Sequence, residues 1–144
     1  MTVRLAEKED LEKVQEIDRL SFLNPWGREF LENISKDIFI VFSGQEVYGY
    51  LIAGCCHRNV TATILKVAVH PDHRRKGIAT NLLYKLVEMV RDRQATEVEV
   101  LVLKVCGPAL ALYNKFGFKT VSTIPQVSND DDLYLMKLEL TSDS

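Results

Sequence analysis

The sequence predicts one α/β domain, a mixed sheet of about seven strands with about four helices. Three observations predict it. Apolar residues recur at helical spacing over 7–21 and 77–92. Apolar runs rich in β-branched and aromatic residues fill 38–42, 46–56, 60–69 and 97–103. Short turn signals join some of these runs and long helical patterns join others, so hairpins and crossovers share one sheet.

The elements follow in order. Residues 2–5 read as a short strand. Leu11, Val14, Ile17 and Leu20 form the apolar stripe of a helix over 7–21. Glu7, Glu9 and Asp10 sit in its first turn, where negative charge suits the helix dipole. Asn24-Pro25 reads as an N-cap followed by proline at the first helical position. That second helix runs to about Ser35 and is expected to bury Phe30, Leu31 and Ile34. The runs 38–42 and 46–56 flank Ser43-Gly44-Gln45 as a hairpin, and Arg58-Asn59 turns the chain into the strand 60–69. The helix 77–92 is expected to bury Ala79, Leu82, Leu83, Leu86 and Val90. Residues 97–103 alternate at first and then become continuously apolar, as a buried parallel strand does. Gly107-Pro108 opens a helix to about Lys115 that Gly117 ends. Residues 118–124 and 132–140 are the last two strands, with a polar loop from Pro125 to Asp131. The tail 141–144 is polar and expected to fray, and the whole of 1–144 reads as a single domain.

Composition bounds the function. A hydrophobic fraction of 47% is ordinary for a globular chain, and a net charge of −2 argues against a general nucleic-acid binder. No apolar run reaches the length of a membrane span. Residues 1–6 lack the basic-then-apolar layout of a signal peptide, so a cytoplasmic location is expected. Cys55, Cys56 and Cys106 are odd in number and lack zinc spacing, so thiols in a reducing compartment and no metal are expected. Cys106 falls at a helix start, where a reactive thiol is one reading beside a plain semi-buried one.

The stretch from Val67 to Ala79 carries the chemistry: Val67-Ala68-Val69-His70-Pro71-Asp72-His73-Arg74-Arg75-Lys76-Gly77-Ile78-Ala79. An apolar strand stops at proline, three cations and a glycine follow, and a helix begins. Backbone N–H groups in such a turn can face oxygen anions, and the helix dipole adds positive potential. The plain alternative is a solvated basic loop capping a surface helix.

The pattern Arg-x-x-Gly-x-Ala at 74–79 resembles the acyl-coenzyme A pyrophosphate signature of the GNAT N-acetyltransferases. Ala111-Leu112-Tyr113-Asn114-Lys115-Phe116-Gly117-Phe118 resembles the family's second signature, at the usual distance downstream. Val3-Arg4-Leu5-Ala6 with Glu9-Asp10-Leu11 resembles the family's first strand and helix. Ser21 to Phe30 resembles the RimI-type branch, which acetylates protein N-termini, and Ard1-type enzymes are the other close comparison. The resemblance spans about 3–138 and implies the GNAT fold with a mostly antiparallel sheet.

The resemblance implies acetyl-CoA as cosubstrate. Its phosphates would lie on Arg74, Arg75, Lys76, Gly77, Ile78 and Ala79, with Thr80 and Asn81 adding contacts. The backbone of Val67, Ala68 and Val69 would pair with the pantetheine arm, and one N–H would face the thioester oxygen. Tyr113 would face the sulfur and protonate the leaving thiolate. Its alternative is an amphipathic tyrosine packed on a helix. Cys106 stands where the family carries a cofactor-contacting asparagine.

Two further features depart from the family. The glutamate base expected on the strand before the tyrosine helix falls at Leu101. Glu99 shares that strand face at roughly 6–7 Å distance, and Glu97 is farther still. Gln126-Val127-Ser128-Asn129 replaces a tyrosine pair of the RimI branch. His57 and Glu29 are further candidates for the base, and each reads first as a surface residue. Pro25, Trp26 and Leu101 are the expected acceptor-binding residues, with Trp26 as a core plug the alternative.

An α-amine has a pKa near 8 and is about one-tenth neutral at pH 7, whereas a lysine, with pKa near 10.4, is neutral a few times in ten thousand. A site without a strong carboxylate base suits α-amines. The leading expectation is an N-terminal protein acetyltransferase acting by direct attack of the neutral amine. Its acceptor would be a protein N-terminus, such as a ribosomal protein or nascent chain. Neither nucleic acid nor membrane is expected as a partner, and the chain would be a monomer or homodimer. A small-molecule amine acetyltransferase and a non-catalytic acyl-CoA-binding module are the alternatives. A nucleotide-binding module of P-loop type is not expected, because the Gly-x-x-x-x-Gly-Lys-Ser/Thr spacing is absent.

Overall fold

The computed structural model describes residues 1–22, 25–34, 37–55, 60–126 and 132–140. The strands are β1 (Thr2–Leu5), β2 (Ile38–Ser43), β3 (Val47–Cys55), β4 (Thr61–Val69), β5 (Glu97–Leu103), β6 (Lys119–Ile124) and β7 (Leu133–Glu139). The helices are α1 (Leu11–Ser21), α2 (Arg28–Ile34), α3 (Ile78–Asp92) and α4 (Gly107–Phe116). The sheet order is β1-β2-β3-β4-β5-β7-β6. The β4–β5 pair is parallel, and the pairs β1–β2, β2–β3, β5–β7 and β6–β7 are antiparallel. The expected mixed, mostly antiparallel sheet of seven strands with four helices is therefore observed. The chain forms two compact units, Met1–Gly54 with Leu65–Met89, and Cys55–Ile64 with Val90–Ser144.

In the first unit α1 lays Leu11, Val14 and Ile17 on a core of Phe39, Val41, Tyr50, Ile52 and Ala68. Leu20, expected in that stripe, is 53% exposed. Asp18, four residues after Val14, takes the buried position instead, because side chains four apart lie one above the other. The α1 helix also begins later than residue 7. Lys8–Asp10 is a 3-10 turn closed by the Asp10 carboxylate, which accepts from Glu7 N–H at 2.7 Å. Arg4 grips the same carboxylate with two N–H groups at 2.7 and 3.0 Å.

The Arg4 hydrogen bonds hold the Asp10 carboxyl below the usual carboxylate range. A depressed folded pKa adds stability above the unfolded value and loses it as pH falls through the folded one. Asp10→Asn should therefore cost about 1–2 kcal/mol at neutral pH and flatten the acid limb of stability below about pH 4. Thermal melts of both proteins from pH 7 to pH 2 check this.

The second helix starts at Arg28, not after Asn24. Asn24 lies outside the described residues, and Pro25-Trp26-Gly27 is not helical. The reason is tertiary: the Trp26 N–H donates to Asp18 at 2.6 Å, and the first intrahelical bond runs from Leu31 N–H to Gly27. Leu31 is buried as expected, Phe30 is half exposed, and the Ile34 side chain is outside the described set.

The long helix follows expectation. Leu82, Leu83, Leu86 and Val90 are fully buried, and Ala79 is half-buried beside buried Ile78. Gly49 on β3 seats its start: a Cβ there would lie 2.9 Å from Ile78 Cγ2 and 3.1 Å from the Ala68 carbonyl.

In the second unit Val98, Val100 and Val102 of β5 are buried with Met136 and Phe118. The expected buried run at the end of β5 is not observed. Leu101 is 50% and Leu103 44% exposed, so alternation persists to the strand end. Being apolar did not bury them: they share the face of Glu97 and Glu99, and the opposite face carries the core. Gly117 ends α4 in the left-handed region, at φ 118, and its N–H caps the Tyr113 and Asn114 carbonyls. The Arg58-Asn59 turn, His57 and residues 127–131 lie outside the described residues. Cys55 is disulfide-bonded, which corrects the expectation that it is a thiol.

Candidate active site

The basic turn is built by what precedes it. At the end of β4 the His70 N–H donates to the Tyr48 carbonyl at 2.8 Å. Pro71–His73 makes a 3-10 turn, and the His73 ring stacks on Tyr48 at 4.1 Å. Arg74 then folds back, donating from Nε to the Val69 carbonyl at 3.1 Å and from Nη2 to Ser21 Oγ at 3.5 Å. Its guanidinium braces the turn against the strand it leaves.

Arg75 and Gly77 take positive φ values of 65 and 77. These reversals curl the backbone so that α3 begins at Ile78. The first intrahelical bond runs from Asn81 N–H to Gly77 at 3.0 Å. The N–H groups of Ile78, Ala79 and Thr80 thus precede the helical ladder and point out of its start. A Cβ built on Gly77 meets nothing within 4 Å. Arg75 and Lys76 are exposed beside that open space. Free N–H groups, a dipole end, two cations and room for close approach fit a pyrophosphate.

Upstream, Ala68 of β4 is buried, and Val67 and Val69 are half-buried. The parallel register with β5 covers Thr61–Ile64 against Glu97–Val100.

Tyr113 projects from the middle of α4 and is only 3% exposed. Its ring meets Phe118 edge-on at 5.2 Å. Burial holds the phenol above its ordinary pKa, and the Cys106 side chain adds to the rise. The hydroxyl makes no hydrogen bond among the described residues, yet it is not sealed from solvent. Such a phenol keeps its proton through the physiological range and has it free to donate. Cys106 is the N-cap of α4, a half-buried free thiol with no side-chain cap bond.

The carboxylates on β5 are already engaged. Thr63 Oγ1 donates to Glu99 at 3.0 Å. Thr61 Oγ1 and Lys137 Nζ donate to Glu97 at 2.7 and 3.3 Å, and both hold it below the usual carboxylate range, which weakens it as a base. Leu101, next along that face, pairs across the ladder with Leu135.

The helix–helix corner is more tightly built than its sequence suggested. Pro25 is exposed, and Trp26 is half-buried against the first unit's core, 4.7 Å from Phe30. Its plug-like packing is thus real, though part of the residue remains accessible. Buried Asp18 accepts from Trp26 N–H, Lys66 Nζ at 2.8 Å and the Tyr50 hydroxyl. Neither Asp18 nor Lys66 was anticipated. The signals were there: an acid on the apolar face of α1, and a lysine inside the apolar run of β4. Glu29 is exposed, as expected for a surface residue.

A family model described as the acetyltransferase (GNAT) family matches residues 11–118. The chain belongs to the GNAT family. It is an acetyl-CoA-dependent N-acetyltransferase, and acetyl-CoA is its cosubstrate. This GNAT chain is 29% identical to an N-alpha-acetyltransferase of Saccharolobus solfataricus, over 94% of itself and 90% of that protein. Its fold matches Ard1 from Thermoplasma volcanium with TM-score 0.89 at 23% identity, covering 98% of each chain. It also matches the ribosomal-protein-S18-alanine N-acetyltransferase of Escherichia coli with TM-score 0.82 at 21% identity, covering 96% and 92% of the two chains. Among the described residues no helix is long and apolar enough to cross a membrane, and no group of three or more His, Cys, Asp or Glu could hold a metal.

Proposed function

We propose that this GNAT enzyme acetylates the N-terminal α-amine of proteins, by direct attack of the neutral amine on the thioester of acetyl-CoA. The observation that carries the reading is Leu101. A half-exposed leucine stands where the resemblance expects a glutamate base, and Glu99 and Glu97 are occupied by threonine donors. Raising a lysine to its neutral form at pH 7 costs roughly 3 kcal/mol more than raising an α-amine. A site without a strong base is therefore matched to an acceptor that needs little help. The likeness to an archaeal N-alpha-acetyltransferase over most of both chains supports the same acceptor.

In this reading acetyl-CoA supplies the activated acetyl group. The N–H groups of Ile78, Ala79 and Thr80, with Arg75 and Lys76, hold the pyrophosphate across Gly77. Arg74 braces the turn from behind. The backbone of Val67, Ala68 and Val69 aligns the pantetheine arm and offers an N–H to the thioester oxygen, where charge develops. Cys106 adds a cofactor contact at the start of α4. Tyr113 offers its proton to the departing thiolate. Glu99 is a distant helper, relaying the amine's proton through water. Pro25, Trp26 and Leu101 line the acceptor's path.

Two measurements test this. Peptides beginning Ser, Ala, Thr, Met-Leu and Met-Glu, incubated with acetyl-CoA, should include at least one that gains an acetyl mass. No gain with any of them, alongside turnover of polyamines or amino acids, would contradict it. Glu99→Gln should lower turnover less than tenfold, and activity should climb with pH to about the amine's own pKa near 8. A thousandfold loss with cofactor affinity intact would make Glu99 the true base.

A further inference from the structure

We propose that Lys66 is a positioning residue: its buried ammonium pins the Trp26 corner and so sets how tightly the acceptor binds. The proposal rests on the reading above that this corner lines the acceptor's path.

The geometry lies wholly within the first unit. Lys66 Nζ is 2.8 Å from Asp18 Oδ1, with side-chain exposures of 9% and 0%. The same ammonium sits 4.3 Å from the Phe22 ring centroid and 4.4 Å from that of Trp26. Phe22 follows the last residue of α1, and Trp26 precedes the first turn of α2. One cation therefore holds the chain on both sides of the link between two helices. Asp18 fixes the second side twice, since it also accepts the Trp26 N–H at 2.6 Å. The Tyr50 hydroxyl completes the carboxylate's shell from β3.

A buried ion pair is poor value as a stabiliser, because desolvation offsets most of the attraction. An apolar side chain spanning the same gap would pack as well. What a methylene chain cannot supply is attraction to two ring faces and a carboxylate at once. Lys66 also sits one residue before Val67, where the proposed cofactor strand begins. The pin thus ties the corner to the strand that aligns the thioester.

The test uses Lys66→Met, which keeps an unbranched chain of nearly the same length and loses charge, and Lys66→Arg, which keeps charge. Trp26 is the only tryptophan in the sequence, so its fluorescence reports this corner alone. Lys66→Met should raise the acrylamide quenching constant of Trp26 about twofold, because the indole loses the cation over its face. It should raise KM for peptide roughly tenfold or more, with kcat and the cofactor-induced melting shift held within about twofold. Lys66→Arg should restore both quenching and KM most of the way. Should Lys66→Met fail to fold, Lys66→Gln carries the same readings. Unchanged KM in a folded uncharged variant overturns the proposal, whether or not quenching rises. Equal falls in kcat and in cofactor affinity also overturn it, since they mark a general loss of structure. Quenching needs no acceptor. An enzyme that acetylates no peptide, yet shows raised quenching in Lys66→Met, would contradict the N-terminal reading and uphold the pin.

Discussion

Tyr113→Phe should lower turnover by roughly 100-fold or more while leaving cofactor affinity nearly unchanged. The substitution keeps the ring, and with it the edge-on contact to Phe118 at 5.2 Å. Only the hydroxyl leaves, and it has no hydrogen-bond partner among the described residues, so the fold loses little. The magnitude follows from the environment. Burial raises the phenol's pKa, so full proton loss to a thiol of pKa near 8.5 is uphill by at least about 2 kcal/mol. In the proposed mechanism Tyr113 would therefore act chiefly as a fixed donor to the sulfur as negative charge gathers there. A donor in a water-poor site is worth about 10²–10³ in rate. Pre-steady-state and steady-state rates of both proteins at saturating acetyl-CoA measure the loss. Near-full turnover in the mutant, with chemistry rate-limiting, would make Tyr113 a packing residue.

Gly77→Asp should abolish the stabilisation that coenzyme A confers. At a hundred times its Kd, a ligand bound only to the folded state adds about 2.7 kcal/mol, roughly 5–10 °C in Tm for a chain of this size. The aspartate acts twice. Gly77 holds φ 77, where any side chain is strained by about 1 kcal/mol. Its Cβ would then place a carboxylate in the open space beside the free N–H groups, where phosphates would approach. Gly77→Ala separates the effects: it shares the strain without the charge and should keep part of the ligand shift. A wild-type Tm indifferent to saturating coenzyme A would remove the turn from the cofactor site.

Much of the fold was legible because local signals agreed with tertiary ones. The stripe of α3, the Leu11, Val14 and Ile17 part of the α1 stripe, the Ser43-Gly44-Gln45 turn and the Gly117 cap each needed only neighbouring residues to be read. The start of α2 was misread because its decisive contact is not local. A buried carboxylate eight residues upstream takes the Trp26 N–H, and the proline that marked a helix start sits outside it. The end of β5 misled for a different reason. Leu101 and Leu103 are as apolar as buried residues, and only the alternation of strand faces distinguishes them. The basic turn was legible in residue types, while its curvature through Arg75 was not, since arginine seldom takes positive φ. Asp18 and Lys66 each stand out among apolar neighbours, but the sequence does not show that the two meet. Their meaning appears only when α1 and β4 are brought together.

The central claim, acetyl transfer to a protein α-amine, is tested most directly with one peptide carrying a free N-terminus and an internal lysine. It is incubated with acetyl-CoA at pH 7, and the acetyl group is located by fragment mass. The α-amine has the larger neutral fraction by more than a hundredfold, and in the proposed site Leu101 supplies no base to erase that advantage. The expected result is a single acetyl group on the N-terminal residue and an unmodified lysine. An acetyl group on the lysine with a free N-terminus would contradict the account, because the site would then have to supply the base that Leu101 cannot.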